Sequence, residues 1–311
     1  GSNKFVAVFS DGTSGQGYYL KAKVGTVDWD DNSITYGGSE ITVYSGNSLG
    51  GNGHKIEFDP NNPNRFVLLY QAKSDSNSPA HAIIGIVSGN SITFGTAVVI
   101  QTGSVYHFDV DWDKGNANTF IVFYRDSSSG AGNRWGTAKV GTVTSGGSGT
   151  TITFGTSTSL SRPNDSEEVE QCSIACDPNN TGRFVLVYYE SYQESMYETY
   201  QYGVAVTGYN NNGSISFGTK NLFRPNDRIN LVSTSFCPNV SGKFVSTFVD
   251  SDASEAAACV GQVASSGTGT TVTMYSNARI STSVMNDLHM DVEPTYGTVL
   301  MCAYQDNANS N

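Results

Sequence analysis

Charge is scarce in this chain. Only 14% of its 311 residues are charged, and 17 Lys and Arg face 28 Asp and Glu, for a net charge of −11. Binding to a nucleic-acid backbone draws on clustered Lys and Arg that release counterions, so this balance excludes nucleic acid as a favoured partner. No apolar run approaches the roughly 18 residues of a membrane-spanning helix, which excludes insertion by that route. Helical periodicity is absent throughout. The chain opens on Gly-Ser without Met, which reads as a cloning remnant or an excised fragment.

Cysteine is sparse too. Cys172 and Cys176 lie four apart in a strand-like segment, a separation of roughly 13 Å at strand rise, too far for a disulfide. The spacing is not that of a zinc site either. Cys176 falls in an apolar slot and is expected to be a small buried hydrophobe.

What is abundant is Gly, with 34 residues, and aromatics, at 11%. The stretch "HFDVDWDKGNANTFIVFYRD" from His107 carries three alternate aspartates, Asp109, Asp111 and Asp113. As a calcium loop starting at Asp109 it would need Gly sixth and Glu twelfth, where Lys114 and Phe120 stand. It is instead one copy of a repeat, aligning with "HKIEFDPNNPNRFVLLYQA", "CSIACDPNNTGRFVLVYYE", "VSTSFCPNVSGKFVSTFVD" and "LHMDVEPTYGTVLMCAYQD". Each copy has a first strand with apolar residues at alternate positions, a Pro/Asn/Gly turn, and a second strand such as "FVLLY". Asp59, Asp113 and Asp177 are expected to form these turns and not to bind calcium.

A third strand follows with Ala and Gly three apart, as in Ala82/Gly85 and Ala205/Gly208, and a fourth of the type "SITFGT". The period is about 60 residues. Four short antiparallel strands per repeat predict an all-β fold, a β-propeller of four-stranded blades, with five blades favoured and six open. The small third-strand residues are expected to let neighbouring sheets approach closely. The copies run approximately over residues 1–53, 54–107, 108–171, 172–231, 232–287 and 288–311, the last partial. The first strand near Met290 is expected to close the N-terminal blade, leaving one second strand over.

The pattern "DPN…[RK]FV…Y-x-D…G-x-A-x-V-G-T-V…SITFGT" resembles repetitive segments of structural and fibre-like proteins of marine phages and of some bacterial surface proteins, over residues 4 to 306. The resemblance implies a virion or cell-surface location and an attachment role, and it carries over no catalytic residue.

One family of loops is long and aromatic, and offers Tyr18, Tyr19, Arg134, Trp135, Arg162, Tyr192, Tyr197 and Arg224 as ligand-binding residues suited to stacking on sugars. With the resemblance, they point to a non-enzymatic attachment module that binds a surface glycan or host receptor, with other virion proteins or copies of itself as further partners. Acidic residues two past the second-strand aromatic in five of six copies, Asp11, Asp126, Glu190, Asp250 and Asp306, are expected to stabilise turns. His54, His107 and His289, with Asp109, are the candidate metal ligands; no cofactor is expected, calcium being the one left open. The enzyme alternative is a five-bladed glycoside hydrolase, for which Glu57, Asp109, Asp111 and Asp291 on first strands supply carboxyl groups. A purely structural virion or surface role is the third reading.

Overall fold

The computed structural model describes residues 3–12, 18–46, 48, 53–73, 78–128, 134–144, 150–160, 167–193, 199–225, 228–264, 271–282, 285–292 and 300–306. Among these every regular element is a β-strand. The first sheet has three strands in the order β1 (Lys4–Asp11), β2 (Tyr19–Asp28), β3 (Ser33–Tyr44). The second joins β4 (His54–Phe58), β5 (Arg65–Gln71), β6 (Ala80–Ser88) and β7 (Ser91–Phe94), with β8 (Val98–Gln101) also on β6. The third is built the same way from β9 (Val105–Trp112), β10 (Thr119–Asp126), β11 (Trp135–Val143), β12 (Ile152–Phe154) and β13 (Thr158–Ser159).

The fourth repeats it with β14 (Glu167–Cys176), β15 (Arg183–Gln193), β16 (Thr199–Asn211), β17 (Ser214–Phe217) and β18 (Asn221–Pro225). Four strands make the fifth: β19 (Ile229–Phe236), β20 (Lys243–Asp250), β21 (Glu255–Val263) and β22 (Val272–Ser281). The last is a hairpin of β23 (Met285–Val292) and β24 (Leu300–Asp306). The described pairings are antiparallel.

The expected closing of the N-terminal sheet by the Met290 strand is corrected here. β23 pairs with β24 in the register Val292 to Leu300, the counterpart of Phe58 to Phe66 and Cys176 to Phe184. Each first strand thus takes the second strand that follows it through a short turn, the cheapest loop to close.

Two compact units are formed, residues 1–106 with 141–154, and residues 107–140 with 155–311. In the first unit Val6, Ala22 and Val24 of the first sheet meet Phe66, Leu68 and Tyr70 of the second. In the second unit Ile121 and Val140 meet Phe184, Leu186 and Tyr188, and Val185 and Val187 meet Phe236 and Phe244. The second strands β5 and β15 are covered on both faces, so "RFVLLYQ" and "RFVLVYY" are buried throughout and read as apolar runs without alternation.

The turns between first and second strands share one hydrogen-bond pattern. Asp59 N–H donates to Arg65 O, Asp113 N–H to Thr119 O, Asp177 N–H to Arg183 O and Cys237 N–H to Lys243 O. Asp59 and Asp177 fold back as expected turn formers, accepting the N–H of Asn61 and Asn179, and each also accepts from the arginine that opens the next strand, Arg65 or Arg183.

The role expected for the third-strand glycines is corrected. Gly85 pairs with Phe66 and Gly208 with Phe184 across each sheet, and a Cβ on either glycine would overlap the phenylalanine ring. Gly25 with Phe5 and Gly261 with Phe244 repeat this. The glycine makes room for a ring of its own sheet, which then meets an aromatic of the fourth strand, as Phe66 meets Phe94 and Phe184 meets Phe217.

Candidate active site

The first strands of the second unit are held together by side chains. Asp109 Oδ2 accepts the N–H of Ile174 at 3.0 Å, and Asp111 Oδ2 that of Cys176 at 2.7 Å. One copy on, Ser173 Oγ accepts the N–H of Thr234 at 3.1 Å, and then Ser233 Oγ that of Met290 at 3.1 Å. Residues four before the turn position therefore reach the next first strand in three successive junctions. Ser235 Oγ meets Asp291 Oδ1 at 3.1 Å.

Within this ladder Asp111 is chemically distinct. Its Oδ1 accepts the N–H of Trp112 at 2.7 Å. Desolvation pushes its carboxyl up to about 6; the N–H of Cys176, the charge of Lys114 and the N–H of Trp112 oppose this, and the charge of Asp109 adds to it.

At the start of the same strands lies a charged network. Arg125, at the end of β10, reaches Glu170 Oε1 at 3.2 Å, and Arg134 reaches Glu168 at 2.7 Å and Glu170 at 3.5 Å. His107 stands in the left-handed region at φ 46°, as do Gln171 and Leu231 at φ 44° and 49° in the two following copies. All three precede the straight part of a first strand, and the ladder slips beside two of them, between Glu170 and Cys172 and between Asn230 and Ser233. These are β-bulges, devices that re-aim side chains at strand ends. Burial, then the charges of Arg125 and Arg134, lower His107 to about 4, so its ring is neutral near pH 7. Its carbonyl accepts the thiol of Cys172 at 2.6 Å.

The residues nominated from sequence fare differently. Arg134 is tied to Glu168 and Glu170, and Trp135 beside it opens β11 half-buried. Arg224 is spent on the buried Asp250 and lies over Phe248. Tyr18 is exposed and its carbonyl accepts Ser48 N–H, while Tyr19 is half-buried at the head of β2. Tyr192 pairs in β15 opposite Tyr200. Arg162 and Tyr197 lie outside the described residues. Glu57 is half-buried on β4, and Asp291 is exposed.

His54 is half-buried and lowered by burial, His107 belongs to the network above and His289 is exposed. Among the described residues no three His, Cys, Asp or Glu are gathered to hold a metal ion. Of the recurrent acidic residues, Asp126 and Asp250 bond turn N–H groups, whereas Asp11 pairs with Lys21 and Glu190 with Lys220. Sequence reading missed Arg125, Glu168 and Glu170. The signal for the two glutamates was present in "EEVEQ", whose alternate Glu168 and Glu170 share one strand face.

No protein-family model matches the chain, and no curated protein is found similar to it in sequence. Solved structures are. The α-L-arabinanase of Penicillium chrysogenum complexed with arabinobiose superposes with a TM-score of 0.60 at 10% identity, over 98% of this chain and 90% of that one. Chaetomium thermophilum Sqt1 bound to the N-terminus of the ribosomal protein L10 gives 0.51 at 10% identity, over 97% and 79%. The fold is of the propeller type.

The expected non-enzymatic attachment module is corrected by this likeness: the architecture, followed along nearly the whole chain, is one shared with an α-L-arabinanase, which favours the hydrolase alternative. The physical ground for the module weakens in parallel: Arg224, expected to reach a ligand, is held by the buried Asp250 within the scaffold.

Proposed function

We propose that the chain is a propeller-type glycoside hydrolase acting on a polysaccharide, with Asp111 as proton donor and Asp109 as its carboxylate partner on β9. The carboxyl of Asp111, raised to about 6 by desolvation and lying near the charge of Asp109, is the observation that carries the reading. Glycoside hydrolysis asks for two carboxyl groups of opposed protonation: one protonates the departing oxygen, the other acts as base or nucleophile. A carboxyl raised by desolvation, with a second carboxyl two residues away on the same strand, meets that need. The N–H groups of Trp112 and Cys176 fix the Asp111 carboxyl in one orientation, and each oxygen retains a further lone pair. The network of Arg125, Glu170, Arg134 and Glu168 supplies donors and acceptors for sugar hydroxyls at the start of the same strands.

The likeness to an arabinanase supports the class, and arabinan is the first polymer to try. The sheets are read as blades, five favoured, with the β23–β24 hairpin beyond the fifth sheet.

Incubation with arabinan, other plant and bacterial polysaccharides and a set of chromogenic glycosides tests the reading. Turnover is expected on at least one, falling by about 10²- to 10⁴-fold in Asp111→Asn, the usual range for losing a general acid. Because the donor must be protonated, kcat/KM should decline as pH rises through about 6. An absence of turnover throughout, or turnover indifferent to Asp111→Asn and Asp109→Asn, would overturn it.

A further inference from the structure

Two kinds of sheet face that are covered at junctions within each unit are exposed in the first sheet and in the β23–β24 hairpin. In the fourth strands, Ile92, Ile215 and Val272 are 7%, 7% and 5% exposed. Each pairs with the end of a third strand: Val87, Asn210 or Val263. Ile92 sits in a core with Val6 and Val24 of the preceding sheet, Ile215 with Ile121 and Val140, and Val272 with Val185 and Val187. Ile34, which pairs with Val27 in the same way, is 60% exposed, and Tyr36 two residues on is 56% exposed.

The opposite kind of face is exposed in the β23–β24 hairpin. Val6, Ile121 and Val185 follow the second-strand aromatic and pack against the next sheet. Met301 holds that position in β24 and is 71% exposed, with Ala303 beside it also exposed. The face presented by Met301 is thus the kind that covers the face presented by Ile34 and Tyr36 at every junction described above.

We propose that a second copy of this chain is the occupant: the Met301 and Ala303 face of one copy seats on the Ile34 and Tyr36 face of another, head to tail. The match is between unlike faces, so the contact is heterologous and yields rings or filaments, according to the rotation between copies. Exposed apolar faces of this kind mark association surfaces. The proposal stands apart from the hydrolase reading, since neither face includes Asp109 or Asp111.

Light scattering on the purified chain should give a mass that rises with concentration, and Ile34→Asp should shift the association midpoint at least about tenfold upward, the loss of one well-buried aliphatic contact. Because Ile34, Tyr36 and Met301 are exposed, these variants should keep the far-ultraviolet spectrum of the parent. A mixture of Tyr36→Cys chains and Met301→Cys chains should form disulfide-linked dimers under mild oxidation that neither variant forms alone. A monomer at all concentrations, or a double variant that cross-links only within one chain, would overturn the proposal: the first shows no contact, the second a face covered by its own chain.

Discussion

Asp111 Oδ2 and the backbone N–H of Cys176 lie 2.7 Å apart across 65 residues of sequence. First strands such as β14 and β19 stand at the end of their sheets, each with one ladder edge that no described strand pairs, and here side chains of the preceding copy satisfy part of it. Ser173 does this for Thr234 as Asp109 does for Ile174. Ser173→Ala removes an acceptor from a buried N–H and should cost about 1–3 kcal/mol. Denaturant midpoints against the parent check this, and Ser173→Thr should recover part of the loss.

Acid should act on the fold through two opposed groups. His107 is lowered to about 4 from 6.5, so the unfolded chain binds its proton more readily. Its contribution is complete above about pH 6.5 and is lost as pH falls toward 4. Asp111 is raised to about 6 from 3.8, so its contribution is complete below about pH 4 and is lost as pH rises through 6. Either shift alone corresponds to up to about 3 kcal/mol. Urea unfolding of the parent from pH 4 to 7 should therefore change little from this pair. Asp111→Asn should expose the His107 slope, with stability rising as pH increases.

Removing a turn arginine should be severe. Arg183 and Asp177 are both buried, and the carboxylate also accepts from Asn179 and Asn180. Arg183→Met leaves a buried carboxylate without its cation and should cost about 3–5 kcal/mol, whereas the double change with Asp177→Asn should recover much of it. Thermal denaturation of the three variants decides the point.

Gly208→Ala should be more harmful than a surface change of the same size. The new methyl would overlap the Phe184 ring, which is buried against Phe217. A cost of about 1–3 kcal/mol follows from overpacking. Gly213→Ala, at a turn where a Cβ meets nothing but φ is +94°, separates this steric effect from backbone strain.

Calcium should leave the turns untouched. Asp59 and Asp177 are engaged by turn N–H groups and by arginine, so calorimetry with calcium should show no tight stoichiometric site at these positions.

The repeat, its four strand types and the turns between them were legible in the sequence because each is a local matter. Alternation sets which side of a strand is apolar, and Asp, Pro, Asn and Gly at fixed offsets set the turn. Even the buried run "FVLLY" announced that both its faces would be covered. The role of Gly85 and Gly208 could not be read, because the ring each accommodates comes from a strand about 20 residues away and depends on register. The raised carboxyl of Asp111 was hidden for a related reason. Asp109, Asp111 and Asp291 look alike along the chain, and only packing against the Cys176 strand separates a desolvated carboxyl from an exposed one. Ile34 and Ile92 carry the same signal in the same motif, yet one is exposed and the other buried. Burial is settled by which sheet lies alongside, a property of the assembled fold and not of the strand.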